Sequence, residues 1–223
     1  MKIDKKLMTA IGVFAVIGVT GLAIMYRREI IQFVTGTNRL RRKAIAQANE
    51  EYSKWNVNGV KIKEHDPKTV SRLKDYWAAT GNTYESMKQS PWSAAFISYL
   101  MKEAGAKDDF KYATSHSTYV VQAIKNRLNN KGRFKGYKPE EVKIEVGDLV
   151  CYPRSGSGAN YNSTGSYESH CDIVTSINKR TGIATAVGGN VSDSVSKTII
   201  PLDTKGKIDK TKTNKGYFVV IKY

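Results

Sequence analysis

Apolar positions along this chain follow three regimes. The first is a continuous run from Leu7 to Tyr26, LMTAIGVFAVIGVTGLAIMY, twenty residues without a charge. At about 1.5 Å per residue it is long enough to span roughly 30 Å, the thickness of a bilayer core. It is longer than the h-region of a cleaved leader, about 7–15 residues, and no A-x-A cleavage pattern follows it. The run predicts a single transmembrane helix over residues 1–28 with its basic flanks. A cleaved leader, or a helix buried in a virion or against a partner, is the competing reading.

The second regime is helical. Residues 29–56 are basic and helix-prone and read as a juxtamembrane helix or stalk; a folded domain is expected over 57–223. Asp66-Pro67 opens one helix, closed by Gly81, with an N-cap, a proline at the first position and a terminal glycine. Ser90-Pro91 opens a second, running to about Glu103, with Trp92, Ala95, Phe96, Tyr99 and Leu100 at helical spacing. A third, from about Ser115 to Leu128, places Tyr119, Val120, Ala123, Ile124 and Leu128 on one face.

The third regime begins after Pro139, where short apolar runs alternate with turn residues. VGDLVCYP, SHCDIVTSI, GIATAVGG, SKTIIPL and GYFVVIKY read as five strands. Helices first and an antiparallel sheet afterwards predict an α+β domain. Between two of these strands lies RSGSGANYNSTGSYES, Arg154 to Ser169, a long loop bearing Tyr161 and Tyr167 and suited to contact a substrate. The lysine-rich tip from Thr204 to Lys215 reads as a solvated turn.

Composition narrows the function classes. The formal net charge is +16 over 223 residues, which suits anionic partners: nucleic acid, acidic lipid or an acidic wall polymer. No nucleic-acid motif is present. Cys151 and Cys171 are too few for a disulfide scaffold or a zinc ribbon. They read as buried small residues or as one disulfide. Zinc held by both cysteines and His170 is disfavoured because neighbouring strand residues point to opposite faces. No metal or cofactor is expected.

Candidate chemistry comes from the strand hairpin around Asn178–Gly182. If Ile177 pairs with Ile183, His170 falls opposite Asn190, about 5 Å away, close enough for the carboxamide to orient the imidazole. Asp172 shares the face of His170 and is a second orienting candidate; Cys171 points away. With Ser90 as N-cap, Ser93 sits at the third position of its helix, where the dipole and free N–H groups favour a developing anion. Ser93 reads as a nucleophile, a backbone cap or a ligand-binding hydroxyl. His116, at a helix start, reads as a capping or surface residue or as part of the cleft.

The blocks PWSAAFISYLMKEAG, GDLVCYPR, SHCDIVTSI and VGGN, in that order, resemble the papain-like cell-wall hydrolases of the NlpC and CHAP type. The closer similarity is to domain-of-unknown-function family 2272, with serine in PWSAAF and the HCDIV and GGNVSDSV blocks, over about residues 66–201. The resemblance implies a papain-like domain with Ser93 in the nucleophile position, His170 as base and Asn190 or Asp172 as orienter. Trp92, His116, Tyr161 and Tyr167 become candidate substrate contacts. The departure is Ser93, where the superfamily keeps a cysteine whose thiolate is accessible near neutral pH; a serine hydroxyl needs its base to take the proton during attack.

The resulting expectation is a membrane-anchored hydrolase that cleaves an amide bond in peptidoglycan. Its folded domain would lie on the extracytoplasmic side or in a virion, as in a phage or secretion-associated lytic protein. Counting Lys and Arg on either side of the apolar run points the other way, placing the domain in the cytoplasm. Two rival readings follow: a wall- or glycan-binding module without catalysis, and a cytoplasmic membrane-tethered binder of anionic polymers.

Overall fold

The computed structural model describes residues 38–154 and 156–223. The run Leu7–Tyr26 lies outside them, and among the described residues no helix is long and apolar enough to cross a membrane. The expected transmembrane helix over residues 1–28 falls outside the described residues, and the single-pass membrane location built on it is not supported by any described helix and is not carried further. The α+β architecture stands.

Helix α1 is described over residues 38–55. Its apolar residues form one stripe: Leu40, Ala44, Ala48 and Trp55, spaced for one helical face, are all buried, and residues 40–223 form one compact unit. The helix read as a stalk is therefore part of the domain from Leu40 onward. Its buried Glu51 accepts hydrogen bonds from Arg72 Nε at 3.0 Å and from the Tyr76 hydroxyl, and these partners offset the cost of burying the charge.

A two-stranded hairpin follows, β1 (Asn56–Val57) and β2 (Val60–Lys61). Asp66 then caps the turn Pro67–Thr69, accepting from Lys68 N at 2.9 Å, and leads into α2 (Val70–Ala78). After the short α3 (Tyr84–Met87) comes α4 (Ser93–Ala104), the central helix. Ten of its twelve residues are buried, so it is covered on all sides rather than on one face. It ends at Gly105, whose φ of 89° is a left-handed conformation that glycine adopts without strain. The helix starts at Ser93 with Trp92 as N-cap, two residues later than the Ser90-Pro91 signal suggests; Ser93 is its first residue, not its third. Helix α5 (His116–Leu128) completes the helical layer, with Leu128 exposed at its end rather than buried with Ile124.

The sheet has six antiparallel strands in the order β3-β8-β4-β5-β6-β7. Five match the predicted runs: β4 (Leu149–Pro153), β5 (Ser169–Asn178), β6 (Ile183–Gly188), β7 (Ser196–Pro201) and β8 (Val219–Lys222). The sixth, β3 (Lys135–Tyr137), adds to an edge. At the β5–β6 turn Asn178 faces Ile183 and Ile177 faces Ala184, one step from the expected pairing. A bulge between Val174 and Ser176 absorbs one residue, so Val174 faces Ala186 and Ile173 faces Val187, the register first expected. Cys151 and Cys171 face each other across β4 and β5 and form a disulfide.

Candidate active site

Ser93 opens α4 and is 2 % exposed. The first backbone bond inside the helix is Phe96 N–H to Trp92 O, 2.9 Å, so the N–H groups of the first turn point outward without helical acceptors. The Ser93 hydroxyl meets His116 Nε2 at 2.7 Å, and Arg154 Nη2 donates to the same Oγ at 3.3 Å.

His116 is the first residue of α5, so two helix N-termini converge on the serine. Its Nδ1 bonds the hydroxyl of Tyr119, one turn along the same helix. Of the two neutral tautomers, one gives Nδ1–H to Tyr119 and leaves the Nε2 lone pair for the Ser93 hydroxyl. Burial, then the neighbouring His170 and Arg154, hold the His116 pKa well below the ordinary histidine value, which keeps the ring neutral. Burial, with Asp172 adding, pushes the Tyr119 hydroxyl well above its usual value, so it stays protonated.

His170 lies on β5, its ring centroid 5.2 Å from that of His116 and 5.1 Å from that of Tyr152. Its Nε2 bonds Asp172 Oδ1 at 2.8 Å. In this contact the ring Nε2–H donates to the carboxylate oxygen. Asp172 is fully buried, and its Oδ2 has no hydrogen-bond partner among the described residues. Space for this carboxylate comes from Gly188: a Cβ there would collide with Asp172 Oδ1 and press on His170 Nε2. Cys171 points to the opposite face and is tied to Cys151, which pins β4 to β5 directly beside the pair.

Asn190 does not reach His170. Continuing the β5–β6 register would bring the two together, but β6 ends at Gly188 and Asn190 turns away with φ 55°. The residue that bonds His170 is Asp172, two residues away on the same strand. Asn190 instead lines a neighbouring cavity of about 420 Å³ with Trp92, Glu64 and Asp193. Trp92 stacks on Trp55 with centroids 5.0 Å apart, and its Nε1 donates to Glu64.

A second cavity, about 550 Å³, opens on Ser93, His116 and Arg154, with Tyr167 and Ser169 in its wall. Tyr167 is thus beside the serine, whereas Tyr161 is not among the residues lining this cavity. The Tyr161 hydroxyl donates to Gly136 O at 3.0 Å and accepts from Arg127 at 3.1 Å, a structural role. Among the described residues no group of three or more His, Cys, Asp or Glu side chains is arranged to hold a metal ion.

Two residues of this constellation go unnoticed in the sequence pattern. Arg154 reads there only as the start of a loop, although it directly follows the strand that pairs with His170. Tyr119 reads as core, although it stands three residues after a histidine in a helix, a spacing that puts both on one face.

A family model described as "Uncharacterized protein conserved in bacteria (DUF2272)" matches residues 53–221. No curated protein and no solved structure matches the chain.

Proposed function

This chain belongs to the DUF2272 family of bacterial proteins, and we propose that it is a papain-like hydrolase of the NlpC and CHAP type that cleaves an amide bond in cell-wall peptides. One observation carries the reading: a buried serine at the start of a buried helix has its hydroxyl 2.7 Å from the Nε2 of a histidine kept neutral by its surroundings. A nucleophile, a base within hydrogen-bond reach and a third group fixing that base are the requirements for acyl transfer. Kinship with the papain-like enzymes is supported by the order of parts: nucleophile helix, Gly-Asp strand, histidine strand, then a glycine-lined strand beside the histidine.

In the proposed reaction Ser93 Oγ attacks the amide carbon as its proton passes to His116 Nε2. The new oxyanion develops at the N-terminus of α4, where the free N–H groups of the first turn can receive it. Collapse expels the amine, which takes the proton from His116 and leaves an ester on Ser93. Water, deprotonated by His116, then attacks that ester; the acyl–Oγ bond breaks, the carboxylic acid is released, and His116 returns the proton to Ser93 Oγ. The imidazolium formed along the way needs a nearby negative charge. Asp172 supplies it, bonded to the adjacent His170 and near the Tyr119 hydroxyl that holds His116. The base assignment moves from His170 to His116 because His116 makes the contact.

The formal net charge of +16 suits a polyanionic wall. The test incubates the full-length protein with purified sacculi beside Ser93→Ala and His116→Ala, reading soluble muropeptides by mass spectrometry. Release by the unaltered protein and none by either variant supports the proposal. Undiminished release by Ser93→Ala contradicts it. Sacculi bound but never cleaved identify a binding module instead.

A further inference from the structure

One charged group touches the nucleophile without moving a proton. Arg154 directly follows β4, at an end of the sheet that is firmly placed. Tyr152 faces His170 and Pro153 faces Ser169 across β4 and β5, and the Arg154 N–H donates to Glu168 O at 3.2 Å. The side chain is half-buried and reaches the cavity at Ser93, where Nη2 donates to Ser93 Oγ at 3.3 Å. Among the described residues its guanidinium has no carboxylate within ion-pair distance. A half-buried cation that faces a neutral hydroxyl keeps its charge available for an anion that forms later.

We infer that Arg154 is a catalytic residue: its guanidinium holds a lone pair of Ser93 Oγ, turns the hydroxyl proton toward His116, and stabilises the negative charge that develops on Oγ during attack and expulsion. The inference rests on the hydrolase reading and adds a cation to it. A serine hydroxyl has one proton to give and two lone pairs. With Arg154 donating to one lone pair and His116 Nε2 at 2.7 Å, the O–H points along the line of transfer. Oγ becomes partly anionic as its proton leaves for Nε2 and the Oγ–C bond forms. When the ester breaks, the electron pair of the C–Oγ bond returns to Oγ and builds the same charge before His116 gives the proton back. Arg154 stays protonated at every step, because a guanidinium titrates far above neutral pH. Its 3.3 Å contact is longer than a full charge-assisted bond of about 2.7–2.9 Å, so it can shorten as charge grows and favour the transition state over the resting enzyme. A serine needs this help where a cysteine, whose thiolate is accessible near neutral pH, does not. Burial first, then His170 and Arg154, lower the His116 pKa, so the cation also keeps the base unprotonated while weakening it.

The test follows labelling of Ser93 by a fluorophosphonate across pH in the full-length protein, in Arg154→Gln and in Arg154→Lys, each verified as folded by circular dichroism. Oγ bonds phosphorus, fluoride leaves and the proton passes to His116, so the same charge develops on Oγ. At about pH 8, above the histidine range, Arg154→Gln is expected to label about a hundredfold more slowly, and Arg154→Lys about tenfold, as when a donor to a developing anion is removed or weakened. The second readout is the pH at which labelling falls on the acid side, set by protonation of His116. Removing the cation lets His116 hold its proton more readily, so the fall moves to higher pH in Arg154→Gln and stays in place in Arg154→Lys. The other groups around the ring are the same in all three proteins: His170 from β5, Tyr119 from α5 with Asp172 beyond it, and Ser93 from α4. Labelling of Arg154→Gln at the original rate overturns the inference alone. So does a lysine variant as slow as the glutamine one, or an acid fall that does not move. Absence of labelling in the unaltered protein overturns the hydrolase reading, and the inference with it.

Discussion

His116 and His170 lie with ring centroids 5.2 Å apart, yet they are held by different parts of the molecule and in opposite ways. His116 stands on a helix start and touches the Ser93 hydroxyl, but among the described residues its other side-chain bond is to a neutral phenol. His170 stands on a central strand and bonds a buried carboxylate, but not the serine. One ring therefore has the contact and the other has the charge. A proton taken by His116 alone would leave a buried imidazolium without a counter-ion, a state that burial disfavours. In the proposed reaction the helical layer supplies reach, the sheet supplies electrostatic support, and the interface between them brings the two together.

Replacing each histidine separately is the sharpest way to break this comparison. His116→Ala is expected to lower kcat/KM on wall peptides by about a thousandfold or more, and His170→Ala by about a hundredfold, since the first removes the proton acceptor and the second only its support. The reverse order, measured on purified muropeptides, would return the base role to His170. Asp172→Asn keeps the shape and removes the charge, with an expected loss of about a hundredfold in kcat and little change in KM. Gly188→Ala acts on the same carboxylate by collision and should lose activity in the same direction while Ser93 and His116 remain in place.

The support side can also be loosened through the disulfide, which closes a loop with a sequence separation of 20 residues. Replacing both Cys151 and Cys171 by alanine should lower folding stability by about 3 kcal/mol, read by denaturant unfolding. Among the variants that still fold at assay temperature, this pair should retain the Ser93–His116 contact and most activity.

The smallest expected effect is on pH dependence. Because the folded-state pKa of His116 lies below its ordinary value of about 6.5, the unfolded chain takes up a proton near that pH which the folded protein refuses until lower pH. Stability from this group is thus full above about 6.5 and is lost as pH falls toward the folded pKa. His116→Gln should flatten the acid side of the stability profile. Burial sets this shift first, then the facing His170 and Arg154; Tyr119 bonds the ring from the same helix, with Asp172 beyond it.

What the sequence disclosed follows from whether the signal was local. Helix α4 is legible because its apolar residues and Gly105 lie in one short stretch. His170 and Asp172 share a face by strand alternation, which needs no partner strand. The pairing of β5 with β6 is legible near the site only because a bulge at Thr175 offsets a one-residue error at the turn. Asn190 fails as the orienting residue because extrapolating a register assumes the strand continues, and β6 stops two residues short. The contact of His116 with Ser93 depends on how two helix starts meet, 23 residues apart in sequence, and no periodicity encodes that. Residues 40–55 read as a stalk because charges dominate the composition, although Leu40, Ala44, Ala48 and Trp55 already trace a buried face.

The central claim is that His116 activates Ser93, and a fluorophosphonate probe tests it without knowledge of the substrate. An activated Ser93 Oγ displaces fluoride from phosphorus, adding the probe's mass to one peptide. Full-length protein is expected to label at Ser93, with labelling lost in Ser93→Ala and at least about a hundredfold slower in His116→Ala. No adduct at Ser93, or an adduct that forms as fast without His116, would contradict the account.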